Sequence, residues 1–310
     1  MEVKSPDPLK RGDKIAILSP ATTVAPEYVA GAADFFAKKG YEPVVLAGAI
    51  GPASGSFASS LEQRIEDLRY ALRSEEIKGI LCARGGYGCV HLLSELSEEE
   101  IAAHPKWLIG FSDISALHAL WLKAGVCSIH GPMAKHITLE DEDDFCACSL
   151  LDILSGKREV TYKTDAHPFN REGEACGMLK GGNLAVLNGL ASTPYDILEV
   201  REGEDVILFL EDVSEAIYAV ERMLTRLYLS GTLRKIKGLI VGQFTEYRPD
   251  RNHKNMEAMI DSFLRRYAID GIPVAFNFPV GHVRNNVPLV EGSQTILKVT
   301  PEVELTGRWG

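Results

Sequence analysis

Four short stretches of this chain have the residue types and spacing to cleave an acyl bond. The first is Lys106-Trp107-Leu108-Ile109-Gly110-Phe111-Ser112-Asp113-Ile114-Ser115. Its apolar run, Trp107 to Ile109, reads as a buried strand. The run stops at Gly110 and Ser112 follows. Ile114, Leu117, Leu120 and Trp121 then mark one side of a helix that Gly125 would end. A serine on a tight strand-to-helix turn stands above the sheet with backbone N–H groups beside it, as in a nucleophile elbow. The match to G-x-S-x-G is partial, because Ile114 stands where the second glycine would be. A serine that only caps the helix would have the same neighbours.

The second stretch, Arg84-Gly85-Gly86-Tyr87-Gly88, follows an apolar strand directly. Its glycines let backbone N–H groups approach a ligand, although a plain tight turn has the same composition. It is not G-x-G-x-x-G, and no phosphate-binding G-x-x-x-x-G-K-[ST] occurs. An N–H of this loop together with that of Asp113 could form an oxyanion hole. The third stretch is Val206 to Asp212, where Glu211 ends an apolar strand. A carboxylate there could orient a histidine or complement a helix N-terminus, and Asp212 is the rival for the role. The fourth is Phe278 to Asn286, which places His282 after a strand and a glycine. Of the eight histidines it has the most site-like surroundings. His118, on the helix after Ser112, reads as packing or surface. His130 and His136 flank a Gly-Pro turn and lack a third metal ligand at a sensible spacing. The order serine, acid, histidine is that of α/β-hydrolases, although the order varies between folds.

These residues need a scaffold, and the periodicity supplies one. Strands are expected at Lys14–Leu18, Glu42–Leu46, Lys78–Cys82 and Lys106–Phe111, with helices at Pro26–Lys39 and Ser60–Arg73. Ser60 and Gln63 have the spacing of a capping box. The alternation predicts an α/β fold, a mostly parallel sheet flanked by helices, with a binding crevice at the strands' C-terminal ends. Ser19–Thr23, Arg84–Gly88 and Gly110–Asp113 fall there. A second α/β domain follows. Its expected elements are Gly177–Leu190 with a Gly181-Gly182-Asn183 turn, a strand Val206–Leu210, a helix Ala216–Leu229, a strand Leu239–Val241, a helix Met256–Tyr267, a strand Pro273–Phe278 and a closing hairpin, Gln294–Val299 with Val303–Thr306. Ser155–Gly173 is polar and without periodicity and reads as the crossover. The expected domains are residues 1–160, carrying the serine, and 161–310, carrying the acid and histidine.

With 310 residues, 45% hydrophobic and 25% charged, the chain can bury a substantial core. A net charge of −10 argues against nucleic acid as a partner. No signal-peptide-like stretch opens the sequence and no run reaches the roughly 18 apolar residues of a membrane span. Six cysteines without a C-x-x-C pair suit free, mostly buried thiols in a cytoplasm.

The four stretches arrive in one order: Ile80 to Gly88, Leu108 to Ser115, Phe209 to Val213 and Phe278 to Pro288. Ala175 to Asn188 lies between the second and third. In this the chain resembles the LD-carboxypeptidase family of serine peptidases over nearly its whole length, from Gly12 to Leu305. The resemblance implies Ser112 as nucleophile, Glu211 as orienting acid, His282 as base, and an oxyanion hole from the N–H groups of Gly86 and Asp113. It implies a hydrolase that needs no metal or cofactor and whose site lies between two domains, often in a homodimer. The implied substrate is a murein tetrapeptide in the cytoplasm, from which terminal D-alanine is released during cell-wall recycling. Ser115 is a mild departure, since many relatives carry threonine there. Arg84, Gly85 and Asn183 are candidates for substrate binding, Arg84 for the free carboxylate.

Microcin C immunity peptidases belong to the same family and cleave a peptidyl- or aminoacyl-nucleotide, stacking the base on an aromatic ring. Trp107 and Trp121 fall in expected core elements and Trp309 at the C-terminus, so the murein reading is favoured. A two-domain binding protein without catalysis is the rival from another class. A cysteine-dependent amidotransferase relative would need Cys82 or Cys127, and Cys82 sits inside an apolar strand.

Overall fold

The apolar runs at the start of the chain become adjacent parallel strands. β1 (Lys14–Leu18), β2 (Glu42–Val45), β3 (Ile77–Cys82), β4 (Trp107–Gly110) and β5 (Ser128–His130) pair in parallel. Ile15, Ile17, Ile80, Leu81, Leu108 and Ile109 are all fully buried, as residues of a sheet covered on both faces must be. The computed structural model describes residues 3–310. It divides into two compact units, one of residues up to Arg158 with Val287–Glu291 and Gly310, the other of Glu159–Asn286 with Gly292–Trp309.

In the first unit, α1 (Pro26–Lys38), α2 (Leu61–Arg73), α3 (Glu98–Ala103) and α4 (Ser115–Lys123) connect the strands, and α5 (Ala134–Leu139) and α6 (Phe145–Leu154) follow β5. Proline at the first position of α1 costs nothing, because that N–H has no intrahelical acceptor. In α2 the Ser60 hydroxyl accepts from the Gln63 N–H at 3.2 Å. Only this half of the capping box forms, since the Gln63 side chain turns forward to Asp67 at 2.9 Å. The helix after Ser112 differs from the one-sided pattern expected of it. Every residue from Ser115 to Leu122 is buried, so α4 is enclosed on all sides.

The second unit has a sheet of β6 (Glu159–Thr164), β7 (Gly173–Asn183), β8 (Val206–Val213), β9 (Gly238–Thr245), β10 (Val274–Ala275), β12 (Gln294–Val299) and β13 (Val303–Arg308), in the order β10-β9-β8-β7-β12-β13-β6. Its helices are α7 (Leu184–Gly189), α8 (Ile217–Leu229), α9 (Thr232–Lys235) and α10 (Met256–Arg266). The remaining strand, β11 (Leu289–Glu291), pairs antiparallel with β5 at the edge of the first sheet.

Three expectations are corrected. The polar stretch Ser155–Gly173 contains an edge strand, β6, whose alternating burial suits a strand exposed on one face. Gly177–Leu190 is the end of an 11-residue strand and then a helix, α7. β8 continues past Leu210 to Val213, so Glu211 and Asp212 lie within a strand and not after it.

Candidate active site

Ser112 sits on the turn between β4 and α4 with φ +66°. A non-glycine residue in the left-handed region costs about 1–2 kcal/mol, so the surrounding contacts must hold it there. The strand end before it is tied down twice. The Gly110 carbonyl accepts from the Gly131 N–H at 3.1 Å and from His118 Nε2 at 2.9 Å. A carbonyl only accepts, so His118 carries its proton on Nε2 and its Nδ1 accepts from the Ser128 hydroxyl at 2.8 Å. Burial lowers the His118 pKa to about 4, which keeps the ring neutral. His118 is thus neither surface nor simple apolar packing.

The glycine loop lies against this turn. A methyl group on Gly85 would come within 3.0 Å of Ser112 Cβ and 3.2 Å of the Asp113 amide nitrogen. Gly86 has φ +113°, a conformation glycine adopts freely. Among the described residues, neither the Gly86 nor the Asp113 N–H takes part in a turn or loop backbone hydrogen bond. The Asp113 carboxylate accepts from the Cys89 N–H at 2.9 Å and burial raises its pKa, so its side chain braces the segment after the glycine loop. Buried Arg64 spans two loops at the strand ends, donating to the Pro20 carbonyl at 2.9 Å and the Gly88 carbonyl at 3.2 Å. Nothing in the local sequence around Arg64 announces that task.

In the second unit, His282 Nδ1 is 2.8 Å from Glu211 Oε2, and Glu211 is fully buried. A carboxylate accepts only, so Nδ1 carries the proton and Nε2 is left as the basic nitrogen. Gly281 makes the approach possible. It has φ +120°, and a methyl there would stand 2.7 Å from Glu211 Oε2. Its N–H is held by Asn286 Oδ1 at 2.9 Å. Asp212 faces elsewhere. Its carboxylate accepts from Asn183 Nδ2 and from the Ala185 N–H, both at 2.9 Å, and burial pushes its pKa up to about 6. The β8–β9 register shifts between Leu210 and Asp212.

The substrate-binding candidates have structural partners as well. Arg84 donates to the Thr23 carbonyl at 2.7 Å. Asn183 caps α7, accepting from the Val186 N–H at 3.1 Å. The two histidines that lacked a third ligand in the sequence acquire neighbours in the fold. His130 lies with His118 and Glu291, and His136 with Asp144 and Cys146. Both His118 nitrogens are already bonded to non-ligands, which disfavours an ion at the first group. In the second, Asp144 Oδ2 takes the His136 ring at 2.9 Å and caps α6 through Ala147.

Comparison with known proteins matches residues 15–131 to the LD-carboxypeptidase N-terminal domain and residues 176–297 to the LD-carboxypeptidase C-terminal domain. The chain is 30% identical over 297 residues to the probable murein peptide carboxypeptidase of Bacillus subtilis, covering 94% of this chain and 91% of that one. It is 33% identical over 252 residues to the murein tetrapeptide carboxypeptidase of Pseudomonas aeruginosa, covering 78% and 79%. Among solved structures, the muramoyltetrapeptide carboxypeptidase of Oxalobacter formigenes superposes with a TM-score of 0.82 at 29% identity, covering 95% of this chain and 98% of that one. The microcin C7 self-immunity protein MccF, solved with adenosine monophosphate as a tryptophan-to-phenylalanine variant, has the same fold. Its TM-score is 0.85 at 22% identity, covering 98% of each chain. On these matches the chain belongs to the LD-carboxypeptidase family of peptidases.

Proposed function

We propose that this protein is a serine LD-carboxypeptidase that hydrolyses the bond between an L-configured centre and the terminal D-alanine of murein tetrapeptides, in the cytoplasmic recycling of cell-wall peptides. The observation that carries the reading is Ser112, held left-handed at the end of β4 with the glycine loop against it. Ser112 Oγ attacks the scissile carbonyl. His282 Nε2 takes its proton, and Glu211 holds the imidazolium that results. The N–H groups of Gly86 and Asp113 receive the oxyanion. The amine of D-alanine leaves with the proton from His282, and water then cleaves the acyl-enzyme by the same steps reversed. Arg84, Gly85 and Asn183 are the residues of this chain proposed to hold or border the peptide.

A nucleotide-linked substrate, as in MccF, is the second reading. It needs an accessible aromatic platform, for which exposed Tyr87 on the glycine loop is the candidate and the tryptophans are not. Trp107, Trp121 and Trp309 are all buried, which favours the murein peptide. Six free cysteines, four of them buried, fit a reducing compartment. No helix of the described residues is long and apolar enough to cross a membrane. We read the protein as a homodimer by family resemblance.

The test is release of free D-alanine from an L,D-linked tetrapeptide set against a D,D-linked pentapeptide. Release from the first only, lost by several orders of magnitude in Ser112→Ala, is expected. Equal rates on both, or near-normal turnover in a folded Ser112→Ala protein, would contradict the assignment.

A further inference from the structure

The glycine loop can place an N–H beside Ser112 only if its peptide planes are turned the right way. A peptide is planar, and in the trans form its C=O and N–H point in opposite directions. Whichever group grips the Gly85 carbonyl therefore also aims the Gly86 N–H. That group is Thr22, on the loop after β1. Its hydroxyl donates to the Gly85 carbonyl at 2.6 Å, and its own N–H points to the same oxygen at 3.4 Å. Thr22 also occupies the space where a Gly86 side chain would stand, since a methyl there would lie 2.1 Å from Thr22 Oγ1.

We propose that Thr22 is a positioning residue of the acyl-transfer step, holding the Gly85 carbonyl so that the Gly85–Gly86 peptide keeps its N–H turned toward the carbonyl oxygen bound at Ser112. The inference rests on the assignment of the Gly86 N–H as an oxyanion donor. Three features of the first unit converge on it. Gly85 packs on Ser112 and Asp113, which puts the peptide within reach of the nucleophile. Gly86 takes a φ that suits glycine, so its own backbone offers little resistance to rotating the peptide. Arg64 anchors the Thr22 loop at Pro20 and the glycine loop at Gly88. These anchors bracket the peptide without touching it, and the Thr22 hydroxyl is the short contact on the peptide itself, beside the longer one from the Thr22 N–H. Without it the peptide can turn over and present its carbonyl to the developing oxyanion, which repels it.

The contribution belongs to the transition state. The bound substrate in its ground state depends little on this donor, and only the oxyanion gains from it. The experiment is steady-state release of D-alanine by Thr22→Val, Thr22→Ala and Thr22→Ser, each checked for an unchanged melting temperature. Thr22→Val and Thr22→Ala should lower kcat by about 10–1000-fold with KM within about twofold, in line with loss of one oxyanion donor. Thr22→Ala is included because it removes the hydroxyl without pressing a methyl on the carbonyl. Thr22→Ser keeps the hydroxyl and should recover most of the rate. An aldehyde analogue of the peptide, which forms a tetrahedral adduct with serine, should bind more weakly to the Val and Ala proteins by a similar factor. Wild-type kcat in folded Val and Ala proteins, a change confined to KM, or no recovery by Ser would overturn the proposal. Failure of the underlying reading looks different, because the wild type would then release no D-alanine or release it independently of Ser112.

Discussion

At the scale of single residues, the two neighbouring carboxylates Glu211 and Asp212 have separate tasks. Glu211 meets the His282 ring, whereas Asp212 satisfies Asn183 and the Ala185 N–H in the first turn of α7. Glutamine at 211 would keep the shape but can offer an amide N–H to the ring, which favours the wrong tautomer. If Glu211 orients His282 as proposed, Glu211→Gln should cost about 10²–10⁴ in kcat with KM little changed, as triad-acid replacements do in serine peptidases. Asp212→Asn should leave kcat within a few-fold and show its effect in the melting temperature, because the side chain caps a helix and fills a buried network. Side-by-side kinetics and thermal unfolding of the two variants check both statements. A crippled Asp212→Asn beside a mild Glu211→Gln would reverse the roles.

At the scale of elements, the loop Arg84–Gly88 and the turn from β4 into α4 form one packed unit. Gly85 has an ordinary φ, since it is not among the residues with positive values. An alanine there is therefore crowded by contact and not strained in its backbone. The contacts are Ser112 Cβ at 3.0 Å, the Asp113 nitrogen at 3.2 Å and the Phe111 carbonyl at 3.2 Å, two of them backbone atoms that cannot rotate away. Gly85→Ala should move Ser112 by a few tenths of an ångström. Misplacements on this scale cost activity before they cost stability, so kcat should fall roughly tenfold or more while the protein still unfolds in one sharp transition. Wild-type kcat in Gly85→Ala would show that the loop tolerates the shift. α4 is the other half of this unit. It carries His118 beneath the end of β4 and is buried along Ser115–Leu122.

At the scale of the whole molecule, acid acts on two buried groups with opposite signs. His118 titrates near 6.5 when unfolded and at about 4 when folded. The unfolded chain binds its proton first, so the stability this group allows is complete above pH 6.5 and falls as the pH drops toward 4. Asp212 is raised from 3.8 to about 6. The folded state holds its proton more tightly, so this group favours folding more as the pH falls through 6. The net acid response sums both groups with the other carboxylates, and one substitution isolates a part of it. His118→Gln keeps a donor for the Gly110 carbonyl and has no charge to gain. Its stability deficit against wild type, measured by denaturant unfolding, should narrow by roughly 2–3 kcal/mol between pH 7 and pH 4.5. A deficit independent of pH would mean that His118 is solvated or charged in the native state.

What the sequence determined by itself is what neighbours in the chain decide. The apolar run that stops at Gly110 makes β4, and the alternation of such runs with helices makes the first sheet mostly parallel. Ser60 caps α2, and the glycines after β3 announce a loop of close approach. These features depend on steric limits and burial within about a dozen residues. Tertiary structure decided everything that depends on register or on distant partners. Which carboxylate meets His282 turns on which face of β8 each side chain takes and on the close approach of Gly281 to Glu211, and a slip of one residue would reverse every side chain of a strand. β11 returns to pair with β5 from more than a hundred residues away, with no local signal. β6 was invisible because its exposed edge carries polar residues in the pattern of a loop. His118 and Thr22 read as ordinary helix and loop residues. Their importance lies in carbonyls that only the folded chain brings to them, at Gly110 and Gly85, since a hydrogen bond has a partner only once the two ends are placed together.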